Sequence, residues 1–329
     1  MSEESKYLLK VDHVSKEYEG TSRLFQKASP TVRAVSDVSF EVRKGETFGI
    51  VGESGCGKST LGKCIVRLHP ITKGDIWYND GGVEKDITKL SKDESFKMRR
   101  KVQMVFQDPY ASLNPSHNIL EAFDEPMRVH GLGNKDERRE IIAQKLREVN
   151  LQPDYMYRFP GEFSGGQRQR ICVAKALALQ PELIVCDEPV SALDVSIQAQ
   201  LLNLMRKLQN EYGLTYIFIA HDLSVVQYMS DRIAVMYLGK VVEIMDGATI
   251  HTECKHPYTE ALLSAVPIPQ FGKRSERIVL EGDVPSPINP PSGCKFHPRC
   301  SRCMGICKEV EPELKTIGPD HQVACHLYD

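Results

Sequence analysis

Apolar residues recur with two different periods along the chain. Residues 7–13 (YLLKVDH) and 35–43 (VSDVSFEVR) alternate apolar with polar, which predicts strands. Thr47–Val51 (TFGIV), Val102–Phe106, Leu183–Cys186 (LIVC) and Tyr216–Ala220 (YIFIA) are short apolar runs of the kind a buried strand needs. Gly74–Tyr78 reads as a further strand, and Ile233–Tyr237 with Lys240–Met245 as a hairpin turning at Leu238-Gly239. Between these runs the period becomes helical. Ser91-Lys92-Asp93-Glu94 is a capping-box pattern opening a helix through Arg100. Leu61–Leu68, Ile119–Val129, Asp136–Val149, Gln167–Leu179 and His256–Ala265 read as helices, and Ile197–Tyr212 places Leu201, Leu204, Met205 and Leu208 on one face. Strands and helices in alternation predict an α/β protein.

The chain has 329 residues, 41% hydrophobic and 26% charged, with a net charge of −2. That balance gives no basic excess pointing to nucleic acid. No apolar run approaches the roughly 18 residues of a membrane span, and the N-terminus lacks a signal pattern, so a cytosolic protein is expected. Residues 266–298 are rich in proline and read as an extended strap. This suggests a domain over 1–265, with a helical subdomain over about 111–180, followed by an extension over 266–329.

The chemistry is concentrated in a few short motifs. Gly52-Glu53-Ser54-Gly55-Cys56-Gly57-Lys58-Ser59-Thr60 fits G-x-x-x-x-G-K-[ST], between a predicted strand and a predicted helix. Glycines let backbone N–H groups converge on phosphates, and the helix N-terminus adds partial positive charge. Lys58 is placed to reach the β- and γ-phosphates, and Ser59 to bind Mg2+. Asp187 and Glu188 close the LIVC strand, where one acid can hold Mg2+ and the other polarise an attacking water. Phe163-Ser164-Gly165-Gly166-Gln167-Arg168-Gln169-Arg170 puts a serine and two glycines at a helix start, a second anion-seeking tip.

This last segment is similar to the LSGGQ signature of the ATP-binding cassette ATPases of membrane transporters, with Phe163 in place of leucine. The resemblance covers residues 7 to about 265 and implies a P-loop core: a RecA-like mixed sheet, an antiparallel β subdomain and an α-helical signature subdomain. It implies that Ser164, Gly165, Gly166 and Gln167 contact ATP held by an opposite cassette. Gln107 resembles the Q-loop glutamine near Mg2+, and Ser191-Ala192-Leu193-Asp194 the D-loop, with Asp194 at the dimer interface. His221 resembles the switch histidine at the γ-phosphate, and Tyr18 the aromatic that stacks on adenine, a part Phe25 could also take.

Five of the ten cysteines lie between Cys294 and Cys325, in sequence too poor in apolar residues for a core of its own. Such spacing suits a metal or cluster, zinc included, or free thiols. The stretch GCKFHPRC…C…HQVACHL, with His256-Pro257-Tyr258-Thr259, resembles the C-terminal extension of oligopeptide and dipeptide permease ATPases. That resemblance implies a [4Fe-4S] cluster on Cys294, Cys300, Cys307 and Cys325, with Cys303 a bystander. It further implies a paralogous ATPase subunit, two transmembrane permease subunits and an extracytoplasmic peptide-binding protein as partners, at the cytoplasmic face of the membrane. A nickel importer of the same family, or a soluble cassette ATPase of translation or DNA repair, are the alternatives.

Overall fold

The computed structural model describes residues 7–19, 31–266 and 278–329. The chain divides into two compact units. One comprises Met1–Arg43, Thr47–Thr88 and Phe218–Asp329; the other comprises Lys44–Glu46 and Lys89–Ile217.

The first unit holds two sheets. The antiparallel one has the order β2-β1-β4-β5, from β1 (Tyr7–Tyr18), β2 (Val32–Arg43), β4 (Lys73–Asp80) and β5 (Val83–Asp86). β1 runs five residues past the predicted strand because His13, at φ 50°, and register shifts against β2 break the alternation without ending the pairing. β5 was not expected: its residues are exposed or half-buried and carry no apolar repeat. The second sheet runs β11-β12-β10-β9-β3, from β3 (Thr47–Val51), β9 (Arg232–Tyr237), β10 (Lys240–Asp246), β11 (Lys315–Gly318) and β12 (His321–Val323). β3 and β9 are parallel, with Gly49 opposite Ile233 and Val51 opposite Val235. β3 is buried along its whole length, as its continuous apolar run requires. Phe40 of β2 stacks on Phe48 of β3, with ring centroids 4.7 Å apart.

The last fifty residues are tied into this unit. β12 pairs with β10, setting Glu243 opposite Val323. The Glu243 carboxylate is fully buried. It accepts the N–H groups of Lys255 (2.6 Å) and His256 (3.1 Å) and meets His321 Nε2 at 2.9 Å, so the buried charge is well compensated. Burial pushes His256 down to about 3, which keeps its ring neutral where Nδ1 accepts the N–H of Tyr258. Phe296 is 1% exposed, with its ring 5.2 Å from Tyr237 and 5.3 Å from Tyr258. Among the described residues of the proline-rich strap, the one helical element is the short turn His297–Arg299. Pro267, Pro269 and Phe25 lie outside the described residues.

The second unit carries β6 (Val102–Val105) and β7 (Leu183–Asp187), which are parallel. β8 (Thr215–Ile219) starts beside β7 in this unit and ends in the first. Its longer helices are Lys92–Lys101, Ile119–Val129, Lys135–Glu148, Gly165–Leu177 and Val195–Tyr212, with a single helical turn at Pro109–Ser112. The capping box at Ser91 forms as predicted: Glu94 N–H donates to Ser91 Oγ (3.3 Å) and Ser91 N–H to Glu94 Oε2 (3.0 Å). Asn118 with Glu121 and Asn134 with Glu137 cap the next two helices in the same way.

Candidate functional site: a phosphate loop and its partner motifs

In the first unit, β3 ends in the phosphate loop. Gly52 and Gly57 have φ values of 157° and 103°. A Cβ on Gly52 would lie 2.1 Å from the Met236 carbonyl oxygen, and one on Gly57 2.0 Å from that of Ala34. Only glycine fits either place, so the loop backbone lies tight against its neighbours. The Gly239 N–H donates to the Cys56 carbonyl at 2.9 Å and the Ser36 N–H to the Gly239 carbonyl at 2.8 Å, so the β9–β10 turn holds the loop from behind. Gly57 then opens the helix Lys58–Ile65, with Ser59 and Thr60 half-buried in its first turn.

Lys58 is 4% exposed. Its ammonium donates to the carbonyls of Gly52 (2.7 Å) and Glu53 (3.0 Å) and lies 3.8 Å from Cys56 Sγ. A buried cation under a glycine turn, at a helix start, fits a polyphosphate: its charge is held by dipoles and oriented into the loop. Burial pushes the Cys56 thiol upward, so it serves as a small packed group.

The Ala220 N–H donates to the Ile50 carbonyl at 3.2 Å, so His221 leaves the sheet at the edge where the phosphate loop begins. Tyr18 ends β1; Lys16 Nζ stands 4.7 Å over its ring, and His69 meets it edge-on with centroids 5.9 Å apart.

In the second unit, Gln107 and Glu188 come together, with Gln107 Nε2 donating to Glu188 Oε2 at 3.0 Å. Asp187 is buried at the end of β7. Glu188 has a φ of 46° and starts a turn closed by Ser191, whose Oγ donates to the Glu188 carbonyl at 3.1 Å. A non-glycine residue in this region marks a constrained position. Asp194 is exposed and stands before the helix Val195–Tyr212.

The signature helix starts at Gly165, two residues before the predicted start, because Ser164 is its N-cap. Gln167 N–H donates to Ser164 Oγ at 3.3 Å and Ser164 N–H to Gln167 Oε1 at 3.0 Å. A Cβ on Gly166 would stand 2.6 Å from Ile197 Cγ2, so the glycine lets the tip pack close. Phe163 is buried, filling an apolar place where the family has leucine. Arg168 Nε donates to the Pro160 carbonyl at 2.7 Å and its guanidinium lies 3.8 Å over the Tyr110 ring, bracing the approach to the exposed tip.

In the tail, Cys294, Cys300, Cys307 and Cys325 line one cavity of about 10 Å³, and Cys303 is not among its lining residues. Burial pushes the Cys294 thiol up to about 11. The expected [4Fe-4S] cluster is not supported by this geometry. Among the described residues no group of three or more His, Cys, Asp or Glu is arranged to hold a metal ion. The four side chains converge around space for about one water. Sequence patterning also gave no sign of Arg299, which reaches the phosphate loop across 246 positions.

Residues 35–191 match the model of the ABC transporter family, and residues 242–307 that of the oligopeptide/dipeptide transporter C-terminal region. The dimeric ABC transporter cassette MJ0796, in a post-hydrolysis state bound to ADP and Pi, is 30% identical with a TM-score of 0.62 over 72% of this chain and 98% of that one. The chain is therefore a member of the ABC transporter family, an ATPase with the cassette fold. Within that family it belongs with the oligopeptide transport ATP-binding proteins: the Bacillus subtilis (strain 168) protein AppF, so named, is 52% identical over 98% of this chain and 97% of its own length. Among the described residues no helix is long and apolar enough to cross a membrane.

Proposed function

We propose that the chain hydrolyses ATP to drive uptake of oligopeptides or dipeptides, as a peripheral subunit at the cytoplasmic face of a membrane importer. The observation that carries this reading is the joining, in one chain, of a complete phosphate loop to a C-terminal region of the oligopeptide/dipeptide type. Its partners would be two transmembrane permease subunits, a paralogous cassette and an extracytoplasmic peptide-binding protein.

The backbone of Gly52–Thr60 and Lys58 would bind the phosphates, and Tyr18 would stack on adenine. Ser59, Gln107 and Asp187 would hold Mg2+, which neutralises phosphate charge when bound. Glu188 would take the proton of the attacking water while Gln107 orients its carboxylate. His221 would contact the γ-phosphate. Ser164, Gly165, Gly166, Gln167 and Asp194 would serve the nucleotide of the second cassette, because an exposed, capped helix start presents its N–H groups outward. ATP would then clasp two cassettes, and its hydrolysis would let them part.

Reconstitution with the permease subunits and binding protein in proteoliposomes tests the assignment. ATP-dependent accumulation of a labelled peptide is expected; accumulation of nickel and no peptide would replace the substrate. The finer cofactor reading is a [4Fe-4S] cluster on Cys294, Cys300, Cys307 and Cys325, and it rests on the spacing of these cysteines and on the oligopeptide/dipeptide transporter character of the C-terminal region, not on a formed metal site. Anaerobic purification is then expected to give about four iron and four sulfide per chain, in the stoichiometry of such a cluster. A colourless, iron-free protein would leave those cysteines a structural role.

A further inference from the structure

Glu53 is the first variable residue of the phosphate loop, and nothing in phosphate binding calls for a carboxylate there. A negative charge inside an anion-binding loop opposes the ligand unless something neutralises it. Arg299 does so. Its Nη1 and Nη2 donate to Glu53 Oε2 and Oε1 at 2.8 and 3.1 Å, a two-pronged pairing. The Arg299 side chain is 7% exposed and that of Glu53 26%, so solvent screens this pair less than a surface one. The Glu53 N–H donates to Tyr258 Oη at 2.9 Å, and its carbonyl accepts Lys58. Three contacts thus fix one residue: two from the C-terminal region and one from the lysine of the loop itself.

The position of Arg299 is equally determined. It ends the turn His297–Arg299, where its N–H donates to the Phe296 carbonyl at 3.0 Å and the His297 N–H to that of Cys294 at 3.0 Å. Phe296, packed against Tyr237 and Tyr258, anchors the turn. The guanidinium lies 6.0 Å from the Tyr237 ring centre, at the outer range of a cation–π contact.

We propose that Arg299 is a positioning residue for nucleotide binding: it neutralises the Glu53 carboxylate and draws it off the phosphate path, which makes the C-terminal region part of the ATP site. The proposal rests on the nucleotide-binding reading of the loop. Its signature is electrostatic, so it separates from a packing role by sign.

The full-length chain is titrated with ATP and ADP at low and high salt, with melting followed alongside. Arg299→Ala is expected to weaken ATP about tenfold at low salt, ADP less, with the difference shrinking as salt rises. Arg299→Lys, which keeps the charge, should recover most of that loss. Glu53→Gln, which removes the carboxylate charge and keeps the loop backbone, should tighten ATP binding at low salt, and adding it to Arg299→Ala should restore affinity. Unchanged ATP affinity in Arg299→Ala, or a loss that Glu53→Gln leaves in place, overturns the proposal. If Arg299→Ala does not fold, a tenfold weakening in Glu53→Gln alone overturns it too. A wild-type chain that binds no nucleotide would instead refute the reading beneath it.

Discussion

A Glu188→Gln protein is expected to bind ATP as the wild type does and to hydrolyse it at least about 100-fold more slowly, the usual weight of a general base. At the end of β7 the chain turns sharply, with Glu188 at a φ of 46°. That turn is closed by Ser191 on the Glu188 carbonyl, so the residue is held by its backbone and its side chain is directed by Gln107 at 3.0 Å. An amide has nearly the same size and can still meet Gln107, but it cannot accept a proton from water. Binding and proton transfer therefore separate in this variant. Phosphate release, measured beside nucleotide affinity in the assembled transporter, checks both halves. Turnover within about tenfold of the wild type would exclude Glu188 from the base role, since loss of a positioned base costs more.

The parts of this molecule that sequence made legible are those whose physics is local. A buried strand must be apolar throughout, so TFGIV, LIVC and YIFIA announced β3, β7 and β8. A helix start must satisfy its own N–H groups, so Ser91 and Glu94 marked one to the residue. The signature helix was placed two residues late because its apolar repeat begins after the glycines, while its hydrogen bonds begin at the Ser164 cap. The tail was harder. β11 is a short strand with exposed residues, and it exists because β12 offers an edge. The cysteines were visible as a cluster in spacing, but their convergence on one cavity, with Cys307 buried and the others half-buried, depends on Phe296 and on the pairing of β12 with β10. The candidate site residues could be picked out from the order of their motifs. The contact of Arg299 with Glu53 was not, because nothing local to either residue requires the other.

Removing the lysine should have the largest effect on binding. Lys58→Ala is expected to lower ATP affinity by at least about 100-fold, as loss of a buried, hydrogen-bonded charge does. Two contributions add. The ammonium is the buried cation of the loop, and triphosphate brought there without it loses its main charge compensation. The ammonium also bridges the carbonyls of Gly52 and Glu53, at 2.7 and 3.0 Å, so truncation leaves the loop's first limb without the donor that shapes it. Lys58→Arg separates them. It keeps the charge, but the planar guanidinium is too broad for a place only 4% exposed beneath a loop whose glycines already touch backbone at Met236 and Ala34. If charge alone mattered, arginine would restore binding; if the shape of the loop matters as well, it will not. Calorimetric titration of both variants is expected to show weak binding in each, with the secondary structure retained. Affinity within about threefold of the wild type in Lys58→Ala would mean that the loop amides carry the phosphates by themselves, and the ammonium would then be a brace for the loop and not a ligand.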